Sequence, residues 1–147
     1  MTAGVKNKTV PDNEFSTFYL GDGLFGINLL DIHEINRHST ITRIPQAPED
    51  LKGILNLRGH IVTIFDLGLR LGLSKVRTDN ANRNIIVQSR GELVGLTVDA
   101  IDDIVKARDE DLVPAPSNIK GVQGKFFKGV LKNDSQLIGI LDLDNIL

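Results

Sequence analysis

Apolar residues in this chain come in short runs of Ile, Leu and Val with a few Phe, and polar turn residues break them at regular intervals. The runs occupy residues 15–20, 24–30, 39–44, 54–57, 61–66, 84–88, 93–98, 126–131 and 137–141. Their length and their β-branched content predict strands. Gly21-Asp22-Gly23, Ser89-Arg90-Gly91-Glu92 and Asn133-Asp134-Ser135 sit between runs and predict tight hairpin turns. Apolar spacing near 3.6 survives only over residues 48–52, 66–71 and 142–147, each opened by a Pro or Asp suited to a helix start. These predict single helical turns in a mainly β protein.

The pattern repeats. KGILNLRGHIVTIFDL at 52–67 aligns without a gap on KGVLKNDSQLIGILDL at 128–143, an offset of 76. LFGINLLDIHEI at 24–35 aligns on LVGLTVDAIDDI at 93–104, an offset of 69 that also brings Pro45 onto Pro114. A period of about seventy residues, with about five short strands per copy, suits two tandem closed barrels better than a solenoid of shorter repeats. The expected layout is a mobile tail over 1–14, barrel one over 15–72, a polar connector over 73–83 and barrel two over 84–147.

Composition narrows the functions open to such a chain. Seventeen Lys and Arg against 19 Asp and Glu give a net charge of −2, too even for a protein that wraps a polyanion by bulk charge. The absence of cysteine removes disulfides, thiol nucleophiles and thiolate metal sites, and MTAGVKNKTVPDNE offers no apolar export segment. Both point to the reducing cytoplasm. No apolar run approaches the roughly twenty residues that span a bilayer, so no direct membrane insertion is expected.

The duplication also sorts residues. Features shared by both copies belong to the barrel: Gly26 and Gly95, Gly53 and Gly129, and Asp66 and Asp142, the aspartates as caps of the short helical turns. Features of one copy are functional candidates. The first copy has Asn56-Leu57-Arg58-Gly59 where the second has Lys132-Asn133-Asp134-Ser135. An Arg at a hairpin tip beside Gly presents a rigid fork of donors to a carboxylate or to backbone carbonyls of a partner. Composition alone favours a solvated surface arginine; confinement to one copy argues against it.

IPQAPEDLKGILNLRGHIVTIFDL resembles the signature of the CheW family: a Pro-x-x-Pro turn, Lys-Gly, Asn-Leu-Arg-Gly, a strand and Asp-Leu. LVGLTVDAIDDIV, VPAP and KGVLKNDSQLIGILDLDNIL resemble the remaining blocks in order, so the likeness covers residues 15–147. It implies two SH3-like barrels and a stand-alone, non-catalytic adaptor without a cofactor. Such an adaptor couples chemoreceptor cytoplasmic tips to the regulatory domain of the histidine kinase CheA, and associates with membrane receptor arrays through those partners. By position, the resemblance assigns receptor binding to Ile32, Glu34, Ile35, Gly53, Asn56, Arg58 and Gly59, with Val98 and Ile101 completing an apolar groove between the barrels. Core packing is the competing reading of Ile32 and Ile35, whose repeat mates Ile101 and Ile104 are also isoleucine. Kinase-contacting residues are not assigned. Thr63, where the family commonly has proline, and a short connection over 109–118 depart from the pattern.

Other constellations carry less. His33, His38 and His60 lack paired metal-ligand spacing. The acidic run of Asp99, Asp102, Asp103, Asp109, Glu110 and Asp111 lacks a calcium-loop pattern and reads as a solvated face. Gly121-Val122-Gln123-Gly124 beside Lys120, Lys125 and Lys128 suggests a nucleic-acid backbone clamp without its framing helices. A nucleic-acid-binding tandem barrel is therefore the alternative to the adaptor.

Overall fold

The computed structural model describes residues 13–37 and 40–147. Its strands are β1 Asn13–Leu20, β2 Gly23–Asn28, β3 Ile32–Asn36, β4 Leu51–Leu57, β5 His60–Asp66, β6 Arg83–Ser89 and β7 Glu92–Val98 in the first two thirds of the chain. β8 Ala100–Ala107, β9 Asn118–Ile119, β10 Val122–Gln123, β11 Phe127–Asn133 and β12 Gln136–Leu141 follow. Single helical turns, α1 Leu67–Arg70 and α2 Leu143–Ile146, close the two halves, each capped by an aspartate. Asp66 accepts from the Leu69 N–H at 3.0 Å and Asp142 from the Asp144 N–H at 3.1 Å, as the repeat predicts.

Four expectations change. The tail expected over 1–14 lies outside the described residues up to 12, and Asn13 and Glu14 open β1. Of the run at 39–44, Ser39 lies outside the described residues and the rest is no strand, with only Thr42 bridging to Ile54. Of residues 48–52, the first three form a turn, closed by the Leu51 N–H on the Pro48 carbonyl at 3.0 Å, and Leu51 and Lys52 open β4 instead of continuing a helix. β3 and β8 are strands that the apolar pattern hides, because Glu34 in one and Asp102, Asp103 and Lys106 in the other interrupt the alternation.

The largest correction concerns the barrels. One sheet has the order β11-β12-β2-β1-β8 and the other β3-β6-β7-β5-β4, so neither is built from one contiguous half. The β1–β2 hairpin of the first copy completes the second barrel, and the β6–β7 hairpin of the second copy completes the first. The exchange is reciprocal down to register. β12 runs parallel to β2 with Ile140 opposite Gly26, and β5 runs parallel to β7 with Ile64 opposite Gly95. These are repeat mates. Swapping equivalent hairpins leaves every neighbour of the same type, which is why the boundaries at 72 and 84 look natural in the sequence yet do not divide the sheets.

The exchange also explains the packing. One apolar cluster lies within the β1, β2, β8, β11 and β12 sheet, formed by Phe15, Leu24, Leu131, Ile138 and Ile140 with Ala107. A second, of Leu55, Leu57, Val62, Ile64 and Ile86, lies within the other. The largest draws on both sheets, with Phe18, Phe25 and Phe127 from one and Ile85, Val87 and Leu96 from the other. Phe25 and Phe127 stack there with centroids 6.1 Å apart. Each fully buried aliphatic or aromatic side chain contributes about 1.5–3 kcal/mol, so this shared core fuses the barrels into one body.

Both copies also share one bulge. The register slips between Leu51 and Gly53 and again between Phe127 and Gly129. There the chain that precedes each hairpin crosses the strand through the bridges Thr42–Ile54 and Val113–Val130. A Cβ on Gly53 would stand 2.2 Å from the Thr42 carbonyl oxygen, and one on Gly129 would stand 2.8 Å from that of Val113. Glycine is required at both places because backbone passes over it.

Candidate docking face on barrel one

The β4–β5 hairpin closes through a two-residue turn in which Leu57 pairs with His60. Arg58 has φ +49 and Gly59 φ +88, the double left-handed geometry of a type I′ turn that matches strand twist. Gly59 takes that conformation without cost. Arg58 is held in it by its neighbours: Asn56 Oδ1 accepts the Gly59 N–H at 2.9 Å, and the Arg58 guanidinium pairs with Glu34.

That ion pair joins the two ends of the sheet order, since Glu34 lies on β3 and Arg58 at the tip of β4 and β5. A flat sheet would hold them apart across three strands. The sheet curls, and the pair bridges its two ends. Behind it runs a chain of polar contacts: Asn36 donates to Glu34 Oε2 at 3.0 Å, Asn84 donates to Asn36 Oδ1 at 3.3 Å, and buried Thr97 donates to Asn84 Oδ1 at 2.7 Å. The Asn36 amide does most to hold the Glu34 carboxyl below its ordinary range; partial burial opposes it and Arg58 adds to it. Arg58 keeps 67% of its side chain exposed, so its remaining donors face outward.

Of the residues that the sequence assigned to this face, Glu34, Asn56, Arg58 and Gly59 converge at the tip. Ile35 stays 38% exposed, which answers the core-packing reading for that residue. Ile32 and Ile101 are half-buried against the shared core, so for them core packing is the observed role. Gly53 is buried beneath Thr42 and serves the bulge. Val98 has 0% exposure inside the shared core, so it supports the face from beneath and lines no open groove.

Two exposed side chains escaped the sequence reading. Leu30, on the one-turn segment Leu29–Asp31 that leads into β3, is 90% exposed, and Ile61, paired with Asn56 across the hairpin, is 62% exposed. Leu30 was within reach of the repeat argument, because the offset of 69 sets it against Asp99. Asp99 belongs to the acidic run, but unlike a solvated residue it is 5% exposed and accepts the Gly21 N–H at 2.7 Å and the Arg77 N–H at 2.9 Å. The suggested clamp at 121–124 overlaps the small β9–β10 hairpin. The aromatic residues are all buried or half-buried, which leaves no ring free to stack on bases. No described helix is long and apolar enough to cross a membrane.

The family model described as "CheW-like domain" matches residues 14–147. "Probable chemotaxis protein CheW" of Rhizobium etli is 33% identical, over 98% of this chain and 93% of that protein. "Chemotaxis protein CheW" of Rhizobium meliloti is 32% identical, over 99% and 94%. Among solved structures, the scaffolding protein TtCheW from Thermoanaerobacter tengcongensis superimposes with a TM-score of 0.83 at 34% identity, covering 90% of this chain and 85% of that one. The two five-stranded sheets are accordingly a pair of SH3-like barrels. The chain belongs to the CheW-like family.

Proposed function

We propose that this protein is a non-catalytic chemotaxis adaptor that couples chemoreceptor cytoplasmic tips to the regulatory domain of the histidine kinase CheA, and so resides in receptor arrays at the cytoplasmic side of the membrane. The family match from end to end supports the adaptor role. The observation that carries the docking assignment is the tip of barrel one, where Glu34 orients an outward-facing Arg58; Ile35 on β3 and Ile61 on β5 are exposed aliphatic side chains of the same barrel. A helical receptor hairpin would lay its apolar stripe on these aliphatic side chains, with Arg58 at the rim to fix its register. Glu34, Ile35, Asn56, Arg58 and Gly59 make the contact in this reading. Ile32, Gly53, Val98 and Ile101 hold its shape.

Adaptors of this kind work through several weak contacts. Each pairwise affinity is expected on the order of micromolar, and tight assembly comes from engaging both partners at once. A co-sedimentation experiment with receptor-tip assemblies and the CheA regulatory domain tests this. The protein should bring the kinase domain down with the receptors. Failure to bind either partner would remove the adaptor reading.

A further inference from the structure

A second site lies away from the hairpin tip. A cavity of about 650 Å³ opens between the 40–50 loop and the 73–83 connector, over the ends of β4, β5 and β6. Arg37, Arg43, Lys52, Lys75 and Arg83 line it, against the carboxylates Glu49, Asp66 and Asp79, so its wall is net positive in a chain whose net charge is −2. Two of those carboxylates are engaged elsewhere. Asp66 accepts the Leu69 and Val76 N–H groups at 3.0 Å each, and Asp79 accepts that of Ala81 at 2.8 Å. Among the described residues, no carboxylate forms an ion pair with Arg37, Arg43, Lys52 or Lys75.

The cations are held there at some cost. Lys52 is half-buried at the β4 bulge, and burial together with repulsion from Lys75 lowers its pKa, an effect that Asp66 only partly offsets. Its repeat mate Lys128 is exposed. The walls are anchored before any ligand arrives. The loop is tied down by the Thr42–Ile54 bridge and by the Arg70–Asp50 ion pair at 3.0 Å, and the connector by Asp66 on Val76 and Asp99 on Arg77. Ile41, Ile44 and Leu51 give the same cavity an apolar side, and Ile44 is 42% exposed. Arg43 has no basic counterpart in the second copy, where position 112 is leucine. This is the one-copy test that also singled out Arg58.

We infer that this cavity is a binding site for a small phosphorylated molecule with an apolar or aromatic body, its phosphates on the Lys52, Lys75 and Arg43 side and its body against Ile41, Ile44 and Leu51. The volume fits a small-molecule pocket, and guanidinium forks beside ammonium groups suit phosphate oxygens. The inference does not depend on the adaptor reading. Its test is titration of the full chain with ADP and, separately, with inorganic pyrophosphate, followed by amide NMR. ADP should bind saturably, with shifts confined to 41–52 and 74–84, and more tightly than pyrophosphate. The Lys52→Gln/Lys75→Gln variant should bind ADP about tenfold more weakly or worse, and Arg58→Ala should bind it normally. Arg43→Gln, at an exposed position that makes no ion pair among the described residues, guards against misfolding of the double variant and should also weaken ADP. Non-saturable shifts, unchanged affinity in folded variants, or pyrophosphate binding as tightly as ADP would overturn the assignment.

Discussion

The β4–β5 and β11–β12 hairpins share a register, a bulge and a crossing chain, yet their tips differ in kind. Barrel one has Arg58 at its tip and Glu34 on the strand it meets. The repeat-equivalent residues in barrel two are Asp134 and Asp103, two acidic groups that cannot form such a pair. Duplication preserved what builds a barrel and released what does not. The difference therefore separates the scaffold from the docking apparatus within a single chain, and the two classes should respond differently to substitution.

The scaffold should respond most. Gly53→Val is expected to cost about 4 kcal/mol or to abolish cooperative unfolding, because Gly53 combines φ +147 with a carbonyl at 2.2 Å from the would-be Cβ. Gly129→Val should cost about half as much, since its carbonyl neighbour stands at 2.8 Å and its φ is not positive. Denaturant melts would rank them, and the reverse order would contradict the closer approach and backbone strain at Gly53. Next come the caps. Asp66→Ala, which frees two N–H groups around a 2% exposed carboxylate, should cost about 2–3 kcal/mol, and Asp142→Ala about 1 kcal/mol.

The tip should respond least in stability. Arg58→Ala is expected to change the unfolding free energy by no more than about 0.5 kcal/mol, as an exposed ion pair contributes little. A large loss of stability would make Arg58 a barrel fastener first and a docking residue second. The smallest effect concerns Glu34. Its carboxyl titrates below the ordinary range in the folded chain, so its contribution is full above the unfolded value of about 4.3 and fades as the pH falls through the lowered folded value. Asn36→Ala and Arg58→Ala should each raise the Glu34 midpoint, read by carboxyl NMR, because the Asn36 amide and the Arg58 guanidinium both favour the charged carboxylate.

Much of this was legible in advance, and the part that was not has a physical reason. Eight of the nine apolar runs lie on strands, and the repeat located the bulge glycines, the capping aspartates and the Arg58 tip. The hairpin exchange was invisible because β2 and β7 carry equivalent faces, so apolar pattern cannot say which barrel each completes. β8 was missed because Asp102 and Asp103 interrupt its alternation, and Val98 was misplaced because strand period gives burial but not whether the buried face meets a groove or a core. Asp99 shows the converse. A carboxylate in an acidic run looks solvated until the backbone N–H groups it receives are known.

The most direct test of the comparison is receptor-tip binding by wild type, Arg58→Ala and Asp134→Ala, measured side by side with CheA regulatory-domain binding as the control for folding. The account predicts that Arg58→Ala weakens the receptor contact by about tenfold while Asp134→Ala and all kinase contacts stay at wild-type strength. Equal receptor binding by the two variants would contradict it, and would place the docking face elsewhere on the shared scaffold.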